Sequence, residues 1–347
     1  MNFSKIIRRW YAIHKRDLPW RNTSDPYRIW LSEIILQQTQ VSQGLPYYDA
    51  FISSFPTVFD LANATEDQVL KLWQGLGYYS RARNLHHTSK LVVQDFNGKF
   101  PITYDELIKL KGVGDYTASA IASICNDEPT AVVDGNVYRL LSRYFGIKTP
   151  INSTAGTKEF KSLAQELLPE AKIGDHNQAI MEFGARQCKP KSPNCSICPL
   201  HDSCFAFRKR LIEVLPVKLN KQKVKKRYFN YLVMLAKNGY TLMEKRHGKG
   251  IWQNLYQFPL IESTKRLSYA ELCAQIDLQS MLNGSDYEIS LYNENPITHK
   301  LSHQHLITHF WIVNLEEIPD GGIPFSKIKA LPVPTLISNF MEGLSIS

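Results

Sequence analysis

The chain has 347 residues, more than the roughly 250–300 that a single hydrophobic core supports, so two folded units are expected. Its 44% hydrophobic and 21% charged content excludes a disordered or fibrous chain, and 41 Lys and Arg against 32 Asp and Glu leave a net charge of +9 that attracts polyanions. Charges scattered from Lys5 to Asp17 exclude a signal peptide and no apolar run reaches the roughly 18 residues of a membrane span, so a cytoplasmic chain without membrane contact is expected.

In chain order, residues 1 to 208 read as successive amphipathic helices separated by Gly, Pro and Asn. Ser24-Asp25-Pro26 supplies a polar cap and a proline at the first helical position, and the apolar stripe continues through Ile29, Trp30, Ile34 and Ile35. Further helices are predicted over residues 46–54, 66–74, 80–94, 103–109, 116–125, 136–145, 157–168 and 176–185. Between residues 209 and 227 the periodicity lapses while Lys218, Lys221, Lys223, Lys225, Lys226 and Arg227 accumulate. This predicts a basic linker, either a solvated tether or a phosphate contact. The period then changes to two: residues 228–236 and 240–245 flank Asn238-Gly239, a hairpin signal, and another strand is predicted over 305–315. The expected fold is multidomain, with an all-helical domain over 1–208, a linker over 209–227 and a mixed α and β domain over 228–347.

Four of the six cysteines, Cys188, Cys195, Cys198 and Cys204, fall within seventeen residues, which argues for a metal site rather than a distributed disulfide framework. Zinc and iron-sulfur centres both accept four cysteines, but zinc sites usually pair two Cys-x-x-Cys knuckles and only one is present, so the spacing favours iron. Upstream, Leu110-Lys111-Gly112-Val113-Gly114-Asp115 lies between two amphipathic segments. Its glycines permit positive φ, so that the amides of Gly112, Val113 and Gly114 can point outward together as a phosphate-binding nest. This turn followed by the Cys-x6-Cys-x2-Cys-x5-Cys loop resembles the helix-hairpin-helix and [4Fe-4S] loop of the endonuclease III and MutY family of base-excision DNA glycosylases. The resemblance implies a bound [4Fe-4S] cluster that is structural and redox-responsive and lies outside the site of base cleavage.

Two carboxylates suit that chemistry. Glu33 shares a helical face with Ile29, Trp30, Leu36 and Gln37, where poor solvation raises its pKa and lets it hold a proton for transfer; the alternative is a partly exposed helix glutamate. Asp134, after Ala131-Val132-Val133 and before Gly135-Asn136, is placed as an N-cap, where the helix dipole holds it ionised. Cleaving an N-glycosidic bond needs such a pair, because the leaving base must be protonated while positive charge develops on the sugar.

Leu18-Pro19-Trp20-Arg21 and the stretches 30–41, 75–85 and 133–137 resemble the adenine-excising MutY branch of the family, a likeness that spans residues 16–204. It implies that Glu33 protonates adenine and later activates water, that Asp134 stabilises or captures the sugar cation, and that Tyr116 and Asn136 support that cation and position Asp134. It assigns the adenine pocket to Arg16, Trp20, Arg21, Gln178 and Glu182, the last two reading the base edge. Leu36, Gln38 and Tyr78 would fill the gap left by the flipped base, although Leu36 and Tyr78 read by themselves as core. Bifunctional relatives carry a Schiff-base lysine where Tyr116 stands, so a monofunctional hydrolase is expected. The C-terminal half, chiefly residues 250–259, resembles the Nudix-like domain that checks for 8-oxoguanine on the opposite strand, without the Glu-rich metal helix of an active Nudix hydrolase. Ser302 and His303 would contact the oxidised base, with Leu301 standing where many relatives have Phe. The implied partner is double-stranded DNA with an 8-oxoguanine:adenine or guanine:adenine mispair, engaged by a monomer. Three other readings stay open on the residues alone: a pyrimidine glycosylase with lyase activity, a non-catalytic damage sensor, and a zinc-dependent nucleic-acid-binding module.

Overall fold

A computed structural model describes residues 3–219, 224–282, 284–318 and 322–344. The chain packs as two compact units, one of residues 1–64 with 84–220, the other of residues 65–83 with 221–347. Among the described residues no helix is long and apolar enough to cross a membrane.

The first unit is helical: α1 (Phe3–His14), α2 (Pro26–Leu36), α3 (Val41–Ser54) and α4 (Val58–Asn63) precede α5 (Glu66–Leu72), which belongs to the second unit. The helical unit resumes with α6 (Ser80–Phe96, whose first turn lies in the second unit), α7 (Tyr104–Leu107), α8 (Asp115–Asn126), α9 (Gly135–Phe145), α10 (Thr154–Glu166), α11 (Ile173–Arg186) and α12 (Phe205–Arg208). Helix α2 starts where its cap predicts, with the Asp25 carboxylate accepting from the Tyr27 amide at 3.0 Å and Pro26 in the first turn. It buries Ile29, Trp30, Leu31, Ile34 and Ile35, so it runs through the unit's interior instead of lying on its surface. Helix α1 has no counterpart in the predicted set, and it packs Phe3, Ile7 and Tyr11 into the core formed with α9, α10 and α11. Helix α3 begins at Val41, five residues before the predicted start, with Pro46 inside it. Proline suits a first turn and marks a helix start in sequence, but here one missing amide donor is tolerated within the helix.

The stretch read as a linker is ordered as far as Leu219. Arg143 Nε donates to the Leu215 carbonyl at 3.0 Å, the Ile151 amide to Val217 at 3.0 Å, and the Leu219 amide to Asn152 Oδ1 at 2.8 Å. Lys225, Lys226 and Arg227 open a strand, while Lys221 and Lys223 lie outside the described residues.

In the second unit, β1 (Lys225–Ala236), β2 (Tyr240–Thr241), β3 (Glu244–Lys245), β4 (Tyr256–Gln257) and β5 (Leu260–Ser263) precede α13 (Tyr269–Cys273) and α14 (Ile276–Leu282). Strands β6 (Tyr287–Leu291), β7 (Ile297–Lys300), β8 (Gln304–Leu315) and β9 (Ile323–Pro324) and helix α15 (Thr335–Gly343) follow. The main sheet runs β5-β1-β8-β6, with β7 also on β8. One face carries Leu232, Met234, Trp311 and Val313 against Leu272, Leu278 and Leu282 of the α13–α14 side. On the other, Tyr231 stacks on Phe310 and Phe310 on Phe340 of α15. The predicted hairpin at Asn238-Gly239 does not form. The turn is present, with Gly239 at φ +79° and its amide on the Ala236 carbonyl at 2.9 Å. However, β8 pairs along all twelve residues of β1 on one edge, β5 pairs with Tyr228–Tyr231 on the other, and β2 pairs with β9 instead of β1. A two-residue turn fixes a local reversal, and competition for strand edges decides whether a ladder follows.

Candidate active site

Helices α2, α8, α9 and α11 and the segment after α1 surround one pocket in the first unit, with about 760 Å³ of empty volume open to solvent. Glu33, Tyr116, Asp134 and Asn136 line it together with Arg16, Trp20, Arg21, Gln178, Glu182 and Leu36, so ten of the residues singled out in the sequence converge on it.

Glu33 is 8% exposed. Burial is the main cause that pushes its pKa from 4.5 up to about 7; a hydrogen bond from Tyr116 works against this, the charge of Asp134 adds to it, and Arg21 opposes it weakly. Burial, and then the charges of Glu33 and Asp134, hold the Tyr116 hydroxyl well above its ordinary pKa, so it remains a donor; it reaches Met181 Sδ at 3.1 Å. Asp134 caps α9: Oδ1 accepts from the amides of Asn136 (2.9 Å) and Val137 (2.8 Å), and Oδ2 accepts from Asn136 Nδ2 at 2.7 Å. The dipole expectation predicts a depressed pKa, but burial outweighs these donors and the nearby Arg139, and the net direction is upward.

Glu182 differs from its expected role. It is 1% exposed, and its two oxygens accept from the Arg16 amide (3.1 Å), Arg16 Nε (2.8 Å), Arg16 Nη2 (2.5 Å) and Arg21 Nη2 (2.8 Å). Four donors fill the roughly four acceptor positions of a carboxylate, so Glu182 anchors the two arginines and must release one before it can accept from a base edge. Burial alone would raise its pKa, but the two arginines bring it down to about 2. Gln178 Oε1 accepts from the Tyr11 hydroxyl at 3.1 Å, and Trp20 sets its ring edge-on to Tyr48 at 5.0 Å.

A wider groove continues from the pocket past Leu36, Gln38, Gly114, Asp115 and Arg139 to Pro190. Leu36 is half-buried along it, and Gln38 is exposed with a left-handed backbone, φ +54°. The turn before α8 has one left-handed glycine where two were expected. Gly112 sits at φ +84°, where a Cβ would come within 2.8 Å of Asn84 Cβ, whereas Gly114 is extended at φ −97°. The Val113 amide closes the turn onto the Leu110 carbonyl at 3.1 Å, so it does not point outward as the nest requires. Asp115, first in α8, puts a carboxylate beside these amides. Lys161 of α10 contacts both its oxygens at 3.0 Å, and the Tyr104 hydroxyl donates to it at 2.9 Å.

Cys188, Cys195, Cys198 and Cys204, none of them in a disulfide, line one cavity of about 380 Å³ empty volume, walled by Leu140, Phe183 and Leu200. Thiols spread around a cavity suit a multi-atom cluster better than a single zinc ion held at about 2.3 Å by each sulfur. Two arginines that the sequence reading passed over tie this loop to α9. Arg143, 2% exposed, donates to the carbonyls of Lys189 (2.7 Å) and Pro190 (3.0 Å) and approaches Cys188 Sγ at 3.5 Å. Arg139 reaches Asn136 Oδ1 (2.9 Å), Gly184 O (2.6 Å) and Cys188 O (2.8 Å). The signal for Arg143 was present: an arginine directly after Leu140-Leu141-Ser142 sits on a buried stripe and needs acceptors there.

The remaining singled-out residues meet in the second unit. Tyr78 is 44% exposed with φ +47°, outside any core, and its hydroxyl hydrogen-bonds Ser302 Oγ. Ser302 and His303 form the exposed tip between β7 and β8, closed by the Leu301 amide on the Gln304 carbonyl at 2.9 Å.

Family models match in three places: HhH-GPD superfamily base excision DNA repair protein over residues 31–170, the iron-sulfur binding domain of endonuclease III over 188–204, and a NUDIX domain over 230–343. The adenine DNA glycosylase of Buchnera aphidicola subsp. Baizongia pistaciae is 37% identical over 316 residues, covering 90% of this chain and 86% of that protein. The adenine DNA glycosylase of Mus musculus is 44% identical over 216 residues, which cover 60% of this chain and 42% of that one. Among solved structures, a thermostable thymine-DNA glycosylase superposes with a TM-score of 0.55 at 31% identity, covering 60% of this chain and 95% of its own. An endonuclease III-DNA complex superposes with a TM-score of 0.53 at 22% identity over 60% and 94%, a likeness of fold. The cysteine loop is therefore a [4Fe-4S] site, and the chain belongs to the adenine DNA glycosylases, enzymes of helix-hairpin-helix base-excision repair that cleave N-glycosyl bonds.

Proposed function

We propose that the enzyme flips and excises adenine paired with 8-oxoguanine, or with guanine, by hydrolysing the N-glycosidic bond without cutting the strand, and that it acts as a monomer. The observation that carries this reading is Glu33, a buried acid with its pKa lifted to about 7, in one pocket with Asp134 and Tyr116. Protonated Glu33 donates to adenine N7, and the C1′–N9 electron pair leaves with the base. The sugar becomes a cation, which the Asp134 carboxylate faces while Asn136 Nδ2 and two backbone amides hold that carboxylate in place. Glu33, now a carboxylate, takes a proton from water as the water oxygen bonds to C1′, leaving an abasic site and free adenine. Tyr116 keeps its proton and can donate a hydrogen bond to Glu33 once that group is a carboxylate.

A lyase step needs an amine to form an imine with C1′, and no lysine lines the pocket among the described residues. Lys111, the nearest in sequence, is exposed. Trp20 and Gln178, with Arg16 and Arg21 positioned by Glu182, supply the adenine pocket, while Leu36 and Gln38 fill the vacated stack and the Gly112 and Gly114 amides meet a phosphate. Tyr78 inserts beside the orphaned base, and Ser302 and His303 read its oxidised edge. Cys188, Cys195, Cys198 and Cys204 would hold the cluster as thiolates, and once held it would fix residues 188–204 in place without a part in cleavage.

The test is a duplex with 8-oxoguanine opposite adenine, resolved with and without alkali. Breakage at adenine only after alkali is expected, with Glu33→Gln slower by at least about 100-fold. Breakage without alkali, an undiminished Glu33→Gln, or equal excision of adenine paired with thymine would defeat the proposal.

A further inference from the structure

Helix α1 carries Lys5, Arg8, Arg9 and His14 and no carboxylate, and Lys15 follows it. Lys5, Arg8, Arg9 and Lys15 line a cavity of about 780 Å³ empty volume together with Lys172 and Asp175 at the start of α11, wholly within the first unit. Among the described residues none of the five cations is in an ion pair, and Asp175 is the one carboxylate lining the cavity. Arg8 Nε is buried there without an acceptor. The first amides of α11 are already taken, Lys172 N and Gly174 N by Asp127 at 2.9 and 3.2 Å, so side-chain charge and not a helix end defines the site.

Lys5, Arg8, Arg9 and Lys15 follow one another at helical spacing along a stripe about 15 Å long at 1.5 Å per residue. A nucleic-acid strand presents a phosphate about every 3.4 Å of axis, so a linear polyanion matches this stripe better than a single small anion does. A membrane surface is a poorer match, because the apolar residues Phe3, Ile7 and Tyr11 are buried and Ile13 is the one large apolar side chain of the helix that is exposed, too little for an inserting face. The Tyr11 ring lines this cavity while its hydroxyl donates to Gln178 of the base pocket, so one side chain separates the two.

We infer that the α1 stripe is a second phosphate-binding site, engaging DNA backbone apart from the hairpin amides and used on undamaged as well as damaged duplex. The test is Lys5→Gln/Arg9→Gln, two exposed positions, and separately Lys5→Gln/Lys15→Gln, in the cluster-loaded full chain. Affinity for an undamaged duplex is measured from 50 to 200 mM salt, and excision is measured in single turnover with enzyme saturating. Affinity at low salt should fall several-fold, and the slope of log affinity against log salt should flatten by about 1 to 2, one for each lost phosphate contact. Saturated excision should be unchanged. An unaltered affinity and slope in both variants would overturn the inference, as would a saturated excision rate that falls in step with affinity. The binding readout needs no excision, so its failure is separable from failure of the adenine-excision reading.

Discussion

At Glu33 a single proton ties catalysis to stability. The folded protein holds it to about pH 7 while the unfolded chain releases it near 4.5, so the contribution of this one group to stability is full below about 4.5 and is lost as pH rises through 7. Glu33→Gln keeps the shape and removes the charge, so the variant is expected to be more stable than the native protein at pH 8, by about 3 kcal/mol at most, and nearly equal at pH 4.5. Denaturant titrations at the two pH values check this. Single-turnover excision should fall toward tenfold per pH unit above 7 as the acid is lost. A stability gap independent of pH would show that Glu33 is not buried as an acid. The burial of Glu33 was legible from its place on an apolar helix face, whereas its proposed role came only from the family resemblance. Glu182 was less legible, because the two arginines that saturate it come from residues 16 and 21, far away in the chain, and only the fold brings them together.

Helix ends and loops hold two further consequences. Asp115 sets a negative charge at the first turn of α8, beside the amides proposed to meet phosphate, and Lys161 offsets it from α10. Lys161→Met should weaken duplex binding several-fold by uncovering that charge, and adding Asp115→Asn should restore it; a purely structural brace would give losses that add. Arg143 is the buried donor for the carbonyls of Leu215, Lys189 and Pro190. Arg143→Gln leaves at least one of them unsatisfied, costing about 1–3 kcal/mol, and should lower the iron-to-protein ratio of the purified enzyme. An unchanged ratio and melting temperature would refute it. Helix positions were largely legible because cap residues and apolar period agreed, as at Asp25-Pro26. The hairpin at Asn238-Gly239 misled because a turn signal carries no information about which distant strand claims β1.

Across the whole molecule, the sequence suggested one passage between units, at the basic stretch near residue 220. By packing, residues 65–83 group with the C-terminal unit and the chain returns at 84, while the HhH-GPD match runs unbroken through them. Within that unit Asp67 pairs with Lys245 at 2.7 Å, Lys71 donates to the Lys329 carbonyl at 2.7 Å, Gln74 to Ser338 at 3.0 Å, and Arg83 to the Gln253 carbonyl at 2.9 Å. Nothing in the composition of 65–83 marks this, because an amphipathic helix does not declare which core receives it. A fragment ending at residue 219 should therefore show fast amide exchange through 65–83 while α8 and α9 stay protected; equal protection in fragment and full chain would count against it.

The same arrangement fixes where related sequences can be recombined. A chimera joined near residue 220 would inherit Tyr78 from one parent and its Ser302 partner from the other, and likewise the partners of Asp67, Lys71, Gln74 and Arg83. Viable exchanges of the C-terminal unit must carry those nineteen residues with it, so that packing unit is discontinuous in the gene.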